Sequence, residues 1–139
     1  IIAAGHRPNV ILESVNKTAI GTRIKPLGSP IEGRKRWLLA GPVSSGKLCL
    51  DAGATDAVVL QGSSLLAKGI KHLEGKFQRG ELVELCNARG EIIARGLCRY
   101  SSADLSQIKG LHSEQFKALL GFDYGKAIVH RDDLVLLDD

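Results

Sequence analysis

The sequence predicts an α+β fold, in which a mixed β pseudobarrel with short helices follows the end of an α/β domain. Two observations favour the pseudobarrel: several short segments alternate apolar and polar residues with the period of two typical of strands, and short helical patterns lie between them. The third observation is that strand, helix and strand follow one another in the first 25 residues, as in a β-α-β unit. The length of 139 residues suits one domain with part of another.

The first 33 residues predict this β-α-β tail and a linker. The apolar run at 1–4 is typical of a buried strand, a helix is expected over about 8–16, and an extended stretch over 21–26. Glycine and proline in 27–33 indicate a linker. The chain also lacks methionine and opens on Ile1, so we expect it to be a piece of a longer protein. The predicted units are residues 1–26, 27–33 and 34–139.

The next part of the chain predicts one helix between strands. A short basic-then-apolar element at 34–39 precedes a strand at 48–50. Asp51 can cap the following helix, because its side chain can accept hydrogen bonds from the free N–H groups of the first turn. Gly62 is expected to end that helix in a left-handed conformation.

The second half of the chain predicts a hairpin, two helices and two closing strands. A turn at 87–90 joins the hairpin strands, a Ser-Ser-Ala-Asp sequence at 101–104 is typical of a helix start, and Gly121 is expected to end a second helix. The predicted strands are residues 70–75, 81–86, 91–100, 127–129 and 134–137.

Charge and composition narrow the possible functions. The net charge of +4 permits contact with RNA without requiring it, and an aromatic content of 4% leaves little for a base-stacking platform. No apolar run approaches the roughly 20 residues that span a bilayer, and no leader is visible, so we expect a cytoplasmic protein without membrane contact. An odd set of separated cysteines favours buried, reduced thiols: Cys49, Cys86 and Cys98.

Three patterns that suggest chemistry are each incomplete. The run Gly41-Pro-Val-Ser-Ser-Gly-Lys47 matches a phosphate-binding loop, but Leu48 stands where a hydroxyl must hold magnesium. The run His130-Arg-Asp132 resembles a kinase catalytic loop without its asparagine. The four histidines lie far apart and no CxxC occurs, which argues against zinc. We therefore predict no catalytic, cofactor-binding or metal-binding residue in this chain.

One segment is a candidate ligand-facing site, the corner at residues 62–71. Serines after a glycine can turn the chain, at least one of Leu65 and Leu66 should enter the core, and Gly69 permits close backbone approach. The corner either seals the barrel or faces RNA or another ligand. The candidate residues are Gly62, Ser63, Ser64, Leu65, Leu66, Lys68, Gly69 and Lys71, and Lys76 and Arg79 flank them.

Several motifs in a fixed order suggest a family. Four of them are Asp51-Ala-Gly-Ala, Gly62-Ser-Ser-Leu-Leu with Gly69-Ile70, Gly75-x-Phe77-x-x-Gly80 and Gly90-x-x-Ile93-Ala94-Arg95-Gly96. In this order they resemble a PUA domain. A wider set resembles the C-terminal part of bacterial glutamate 5-kinases: Ile1-Ile-Ala-Ala-Gly5, Arg34-Lys-Arg-Trp37, Arg99-Tyr-Ser-Ser102, Leu120-Gly121 and His130-Arg-Asp-Asp133.

The resemblance implies a role for each predicted unit. Residues 1–26 would be the tail of an amino-acid-kinase domain, and residues 34–139 the PUA domain. That family phosphorylates the side-chain carboxylate of L-glutamate with ATP and Mg²⁺ in the first step of proline synthesis, and its catalytic residues would lie upstream. We therefore expect the isolated chain to be inactive, with the missing kinase domain as its partner in a homo-oligomeric enzyme. The chain would then be a regulatory module or an RNA-binding module, and an independent small enzyme is the third alternative.

Overall fold

The structure, a computed structural model, describes residues 1–16, 20–25, 30–41 and 43–137. Its helices are α1 (Val10–Val15), α2 (Pro30–Ala40), α3 (Ala52–Val59), α4 (Ser102–Ile108) and α5 (Phe116–Leu120). Its strands are β1 (Gly46–Leu50), β2 (Leu65–Leu66), β3 (Ile70–Gly75), β4 (Leu82–Cys86), β5 (Ile92–Cys98) and β6 (Ala127–Leu136). Within these ranges no helix combines the length and apolarity that crossing a bilayer would need.

The strands form one mixed sheet, and short helices fill its connections. The strand order is β2-β6-β5-β4-β1-β3. Neighbouring strands are antiparallel except β1 and β4, which are parallel. The predicted hairpin joins β4 to β5, where the N–H of Asn87 donates to the carbonyl of Glu91 at 3.0 Å. This arrangement confirms the predicted α+β class and the mixed pseudobarrel with short helices.

One hydrophobic core lies against the sheet. Strands contribute every second residue to this core. In β5, for example, Ala94, Gly96 and Cys98 share the buried face. Burying a leucine or phenylalanine side chain contributes roughly 1.5–3 kcal/mol, so the core dominates stability. The largest fully buried side chains are Tyr100, Phe77, Phe116, Leu38, Leu48, Leu50, Leu65, Leu85, Leu105, Ile108, Ile128 and Val58.

The first four residues differ from the predicted buried strand. Ile2 exchanges two backbone hydrogen bonds with Thr22, each 2.8 Å long, in an isolated bridge. Ile1 is 50% exposed and Ile2 is 65% exposed. The prediction of a buried strand is wrong because apolar residues are buried only where neighbouring elements cover them. In the described residues this single bridge supplies no such cover.

The predicted linker is only partly a loop. Pro26 and residues 27–29 lie outside the described residues, whereas Pro30 begins α2 and residues 30–33 are helical. Residues 30–33 are therefore helical rather than a loop, and their role as a linker stays a prediction. A proline fits the first turn of a helix because the N–H that it lacks would have no helical partner there. Leu38 of α2 is fully buried, and the helix packs against β5 and β6. The predicted division into domains stays a prediction.

The two predicted closing strands are one strand. β6 runs from Ala127 to Leu136, and its pairing with β5 shifts register between Val129 and Leu134. The residues between them are polar or charged, and this interruption of the apolar pattern suggested a break. A bulge lets a strand continue through such residues while they leave the paired ladder.

Candidate functional site

The corner, residues 62–71, is fixed to the start of α3. The carboxylate of Asp51 accepts a hydrogen bond from the N–H of Ala54 at 2.7 Å, which confirms the predicted helix cap. The N–H of Asp51 donates to the carbonyl of Gly69 at 2.9 Å. At the other end, Gly62 has a φ of +59°, the left-handed conformation predicted where α3 ends. The N–H of Ser63 beside it donates to the carbonyl of Ala57 at 2.9 Å, so the helix and the corner are held at both ends.

The two leucines of the corner separate as predicted. Leu65 is 1% exposed and belongs to the core, whereas Leu66 is 45% exposed. Both form β2, which pairs with β6, and Ser64 Oγ accepts a hydrogen bond from the N–H of Arg131 at 3.0 Å. The sheet thus anchors Leu65 and leaves the side chain of Leu66 at the surface.

The end of the corner lies unusually close to α3. A Cβ built on Gly69 would lie 2.3 Å from the Cβ of Ala54, far inside normal contact. Only glycine allows this approach, as the sequence predicts for Gly69. The corner can therefore form one wall of a cleft whose other wall is α3.

The cleft between α3 and the corner has a volume of about 360 Å³. It is lined by Asp51, Gly53, Ala54, Ala57, Val58, Ser63, Ser64, Leu65, Leu66, Lys68 and Gly69. The structure thus brings six of the eight candidate residues together. Gly62 lines a separate cleft beside Arg131, and Lys71 lines another beside Cys49.

The walls of this cleft are mostly apolar, with one cation. Lys68 is exposed, and the carboxylate of Asp51 is already engaged by the helix. Of the flanking basic residues named from the sequence, Arg79 stacks over the ring of Tyr124 at 3.7 Å from its centroid. The cleft can therefore receive an apolar group, with Lys68 available for a neighbouring negative charge.

Two sequence patterns that suggest chemistry, the phosphate-loop match and the kinase-like tripeptide, lie at the start of β1 and within β6. Pro42, within the phosphate-loop match, lies outside the described residues. Gly46 opens strand β1 instead of a helix, and Leu48 is fully buried in the core. A phosphate loop needs a helix N-terminus to face its ligand. In β6, His130 Nδ1 and Arg131 Nε lie 3.5 and 3.7 Å from carboxylate oxygens of Asp132, and this local pairing accounts for the kinase-like tripeptide.

A second cluster was missed by the sequence reasoning. A sulfur of Cys49, a ring nitrogen of His72 and a carboxylate oxygen of Glu74 lie within 4.8 Å of one another. Cys86 Sγ lies 2.7 Å from Cys49 Sγ, so these two cysteines are buried, as expected, but they are not separated in space. Burial, reinforced by the hydrogen bond to Cys49, raises the pKa of the Cys86 thiol. Spacing along the chain hides this cluster, because strand pairing assembles it.

Known proteins resemble this chain in sequence. A family model for the PUA domain matches residues 46–120. Glutamate 5-kinase from Shewanella amazonensis is 51% identical over 138 residues, which are 99% of this chain and 36% of the relative. Glutamate 5-kinase from Aliivibrio fischeri is 52% identical over 137 residues, which are 99% of this chain and 37% of the relative. The chain thus spans little more than a third of the length of these curated relatives.

Two solved structures also resemble it. A PUA domain from Aeropyrum pernix K1, in a tartrate complex, is 22% identical with a TM-score of 0.48, and the match covers 62% of this chain and 41% of that one. A conserved PUA domain protein from Thermoplasma acidophilum is 21% identical with a TM-score of 0.45, and the match covers 68% and 52%. The family model matches more than half of the chain, and about half of all residues are identical to those of C-terminal regions of glutamate 5-kinases. The chain therefore belongs to the PUA domain family, in the form that accompanies glutamate 5-kinases.

Proposed function

We propose that the chain is the accessory module of a glutamate 5-kinase, and that it regulates the kinase without performing the chemistry. The observation that carries this proposal is identity of about 50% to such kinases over 99% of the chain. The whole enzyme would transfer the γ-phosphate of ATP to the side-chain carboxylate of L-glutamate. Residues 1–26 would be the tail of its kinase domain, in a homo-oligomer. The free cysteines fit the reducing cytosol.

The chemistry explains why this module alone should be inactive. A carboxylate attacks a polyanionic phosphate poorly, so catalysis depends on positioning and on neutralisation of charge by lysine and Mg²⁺. Within the described residues, the loop that most resembles a nucleotide site leads into a strand, with Leu48 in the core. We infer that ATP and Mg²⁺ bind elsewhere in the whole enzyme.

An activity assay tests this proposal. ATP-dependent formation of glutamyl phosphate, trapped as the hydroxamate, is measured for this chain, for the full-length enzyme from the same gene, and for that enzyme without residues 34–139. We expect activity from the full-length enzyme and none from this chain. We also expect the shortened enzyme to respond differently to proline or Mg²⁺. Phosphorylation by the chain alone would contradict the accessory role, and identical proline and Mg²⁺ curves would contradict the regulatory role.

The cleft beside α3 favours a second function, the binding of structured RNA. Its apolar walls suit an unstacked base, and Lys68 can contact a phosphate. Residues 62–66, 68, 69 and 71 would then form the RNA-facing surface. The net charge is modest, and Arg79 stacks on Tyr124. Both limit the electrostatic contribution to RNA affinity, so we rank this function second.

Salt dependence separates the two functions. If RNA occupies the cleft, log affinity falls with log salt with a slope of several counterions, and one RNA fold is preferred. Lys68→Ala then lowers the magnitude of the slope by about one, because it removes one phosphate contact. Lys117→Ala removes another exposed lysine, from α5 and away from the cleft, and should leave the fold preference unchanged. Weak binding that is the same for different RNA folds and is unchanged by Lys68→Ala would exclude this function.

A further inference from the structure

Three neighbouring strands place sulfur and nitrogen donors side by side on the face of the sheet opposite the core. Cys49 of β1 pairs in register with Cys86 of β4 on one side and with His72 of β3 on the other. Leu48 and Leu50 belong to the core, so Cys49 between them lies on the opposite face. Glu74 is two residues beyond His72 and shares its face, which completes a set of four donors.

We propose that Cys49, Cys86, His72 and Glu74 form a binding site for Zn²⁺. Three of their donor atoms already lie within 4.8 Å of one another, and the fourth, Cys86 Sγ, is 2.7 Å from Cys49 Sγ. Zinc–ligand distances of about 2.0–2.3 Å place tetrahedral donors about 3.3–3.8 Å apart. To reach that geometry the two sulfurs must move about 1 Å apart, and the exposed side chains of His72 and Glu74 must rotate toward Cys86. Two thiolates, an imidazole and a carboxylate are the donors that suit a borderline-soft ion such as Zn²⁺.

Access also suits a cation at this site. The four residues line a cleft of about 490 Å³, in which the cysteines are buried while His72 and Glu74 are exposed. The ion can therefore meet the exposed donors first and then the sulfurs beneath them. Binding releases the two thiol protons, so the complex with two thiolates and one carboxylate carries one net negative charge. Lys47, which faces Glu74 across the strands, can balance that charge.

Metal titration of the reduced 139-residue chain tests this proposal. Co²⁺ serves as the spectroscopic probe, since tetrahedral cobalt with thiolate ligands gives intense d–d bands and a sulfur-to-cobalt charge-transfer band. We expect one equivalent of Co²⁺ to develop both features and one equivalent of Zn²⁺ to displace it. Cys49→Ala and Cys86→Ala should weaken the charge-transfer band, whereas Cys98→Ala, which removes a buried cysteine outside the cluster, should leave it intact.

The exposed histidine gives a variant whose folding is not in question. His72→Ala should lower zinc affinity by about tenfold or more, because losing even an outer-shell partner typically costs about 10–100-fold. His112→Ala removes another exposed histidine and should have no effect. Circular dichroism checks that all variants fold. The proposal is overturned if the reduced chain binds no stoichiometric metal, if His72→Ala and Cys49→Ala bind as tightly as the parent chain, or if the cysteines only form a disulfide. Neither kinase nor RNA assays enter this test.

Discussion

Tyr100 connects the core to the loop after α5. Its side chain is fully buried, with the ring edge-on to Phe116 at 5.6 Å between centroids. The hydroxyl accepts a hydrogen bond from the N–H of Tyr124 at 2.9 Å. Its single proton can be donated to the carbonyl of Gly125 at 2.9 Å or to the carboxylate of Asp123 at 3.1 Å. One oxygen therefore organises the turn at residues 123–125.

Tyr100→Phe should destabilise the protein by about 1–3 kcal/mol, because the N–H of Tyr124 and the two acceptors lose a partner in a partly buried region. The urea midpoint of unfolding measures this loss. Tyr124→Phe is the matched control, since it removes a more exposed hydroxyl and keeps the ring that Arg79 covers. The control should change stability by less than about 0.5 kcal/mol. Equal losses in both variants would contradict the role of the Tyr100 hydroxyl.

Residue-scale features were predictable where their partners are local in sequence. Asp51 caps α3, and Ser101 with Asp104 forms a capping box at the start of α4, as the sequence patterns indicate. The hydrogen-bond partners of the Tyr100 hydroxyl lie more than 20 residues away along the chain, and neither charge nor spacing in the sequence indicates them. Contacts between residues close in sequence can be inferred from the sequence. Contacts between distant residues, such as those of Tyr100, can be identified only once the fold is known.

At the scale of elements, the junction between α3 and the corner depends on the absence of one side chain. Gly69→Ala would place a Cβ against Ala54, and the helix and corner would have to separate. We expect a loss of about 1–3 kcal/mol, typical of overpacking, and a change in the cleft beside Leu66. Thermal unfolding and amide hydrogen exchange of the corner measure the two effects.

Gly53→Ala is the control for this junction. Gly53 lies in α3, and the nearest atom to an added Cβ is Asp51 Oδ1 at 3.6 Å, an ordinary contact. Because alanine favours a helix more than glycine, this variant should gain about 0.5–1 kcal/mol. If Gly69→Ala were as stable as Gly53→Ala, the close approach would not determine the junction.

Elements were predictable where periodicity was unbroken. The hairpin of β4 and β5, and the helix α3 between its cap and Gly62, follow the sequence patterns. β6 was divided wrongly because the polar residues 130–133 interrupt its apolar pattern. The four-donor cluster also could not be predicted, since it requires β1 to lie between β3 and β4. Nothing in the individual strands specifies that order.

At the scale of the whole molecule, the core contains two ionisable side chains, Cys98 and Tyr100, whose burial disfavours the charged form. Burial raises the pKa of Cys98 from its usual 9.0 to about 11, and burial likewise raises the pKa of Tyr100. Well below pH 9 these groups are neutral in both the folded and the unfolded chain, so their contribution to stability is constant. As the pH rises further, the unfolded chain ionises first, and the folded state becomes less favourable.

We therefore expect stability to fall between about pH 9 and pH 11, with about 2–3 kcal/mol of the loss due to Cys98. Urea unfolding under reducing conditions over this range measures the loss. Cys98→Ala should be less stable near neutral pH but should lose less on going to pH 11. If both proteins lost the same stability, ionisation of Cys98 would not contribute.

The position of β6 has a practical consequence for dissecting this protein. The span matched by the family model ends at residue 120, whereas β6 lies at 127–136 between β2 and β5. Trimming to the matched span would expose the backbone donors and acceptors of β2 and β5, which invite self-association. It would also discard Asp133, which pairs with Arg34 of α2 and with Arg99. The smallest piece that can fold independently is therefore larger than its family signature, and it includes sequence on both sides.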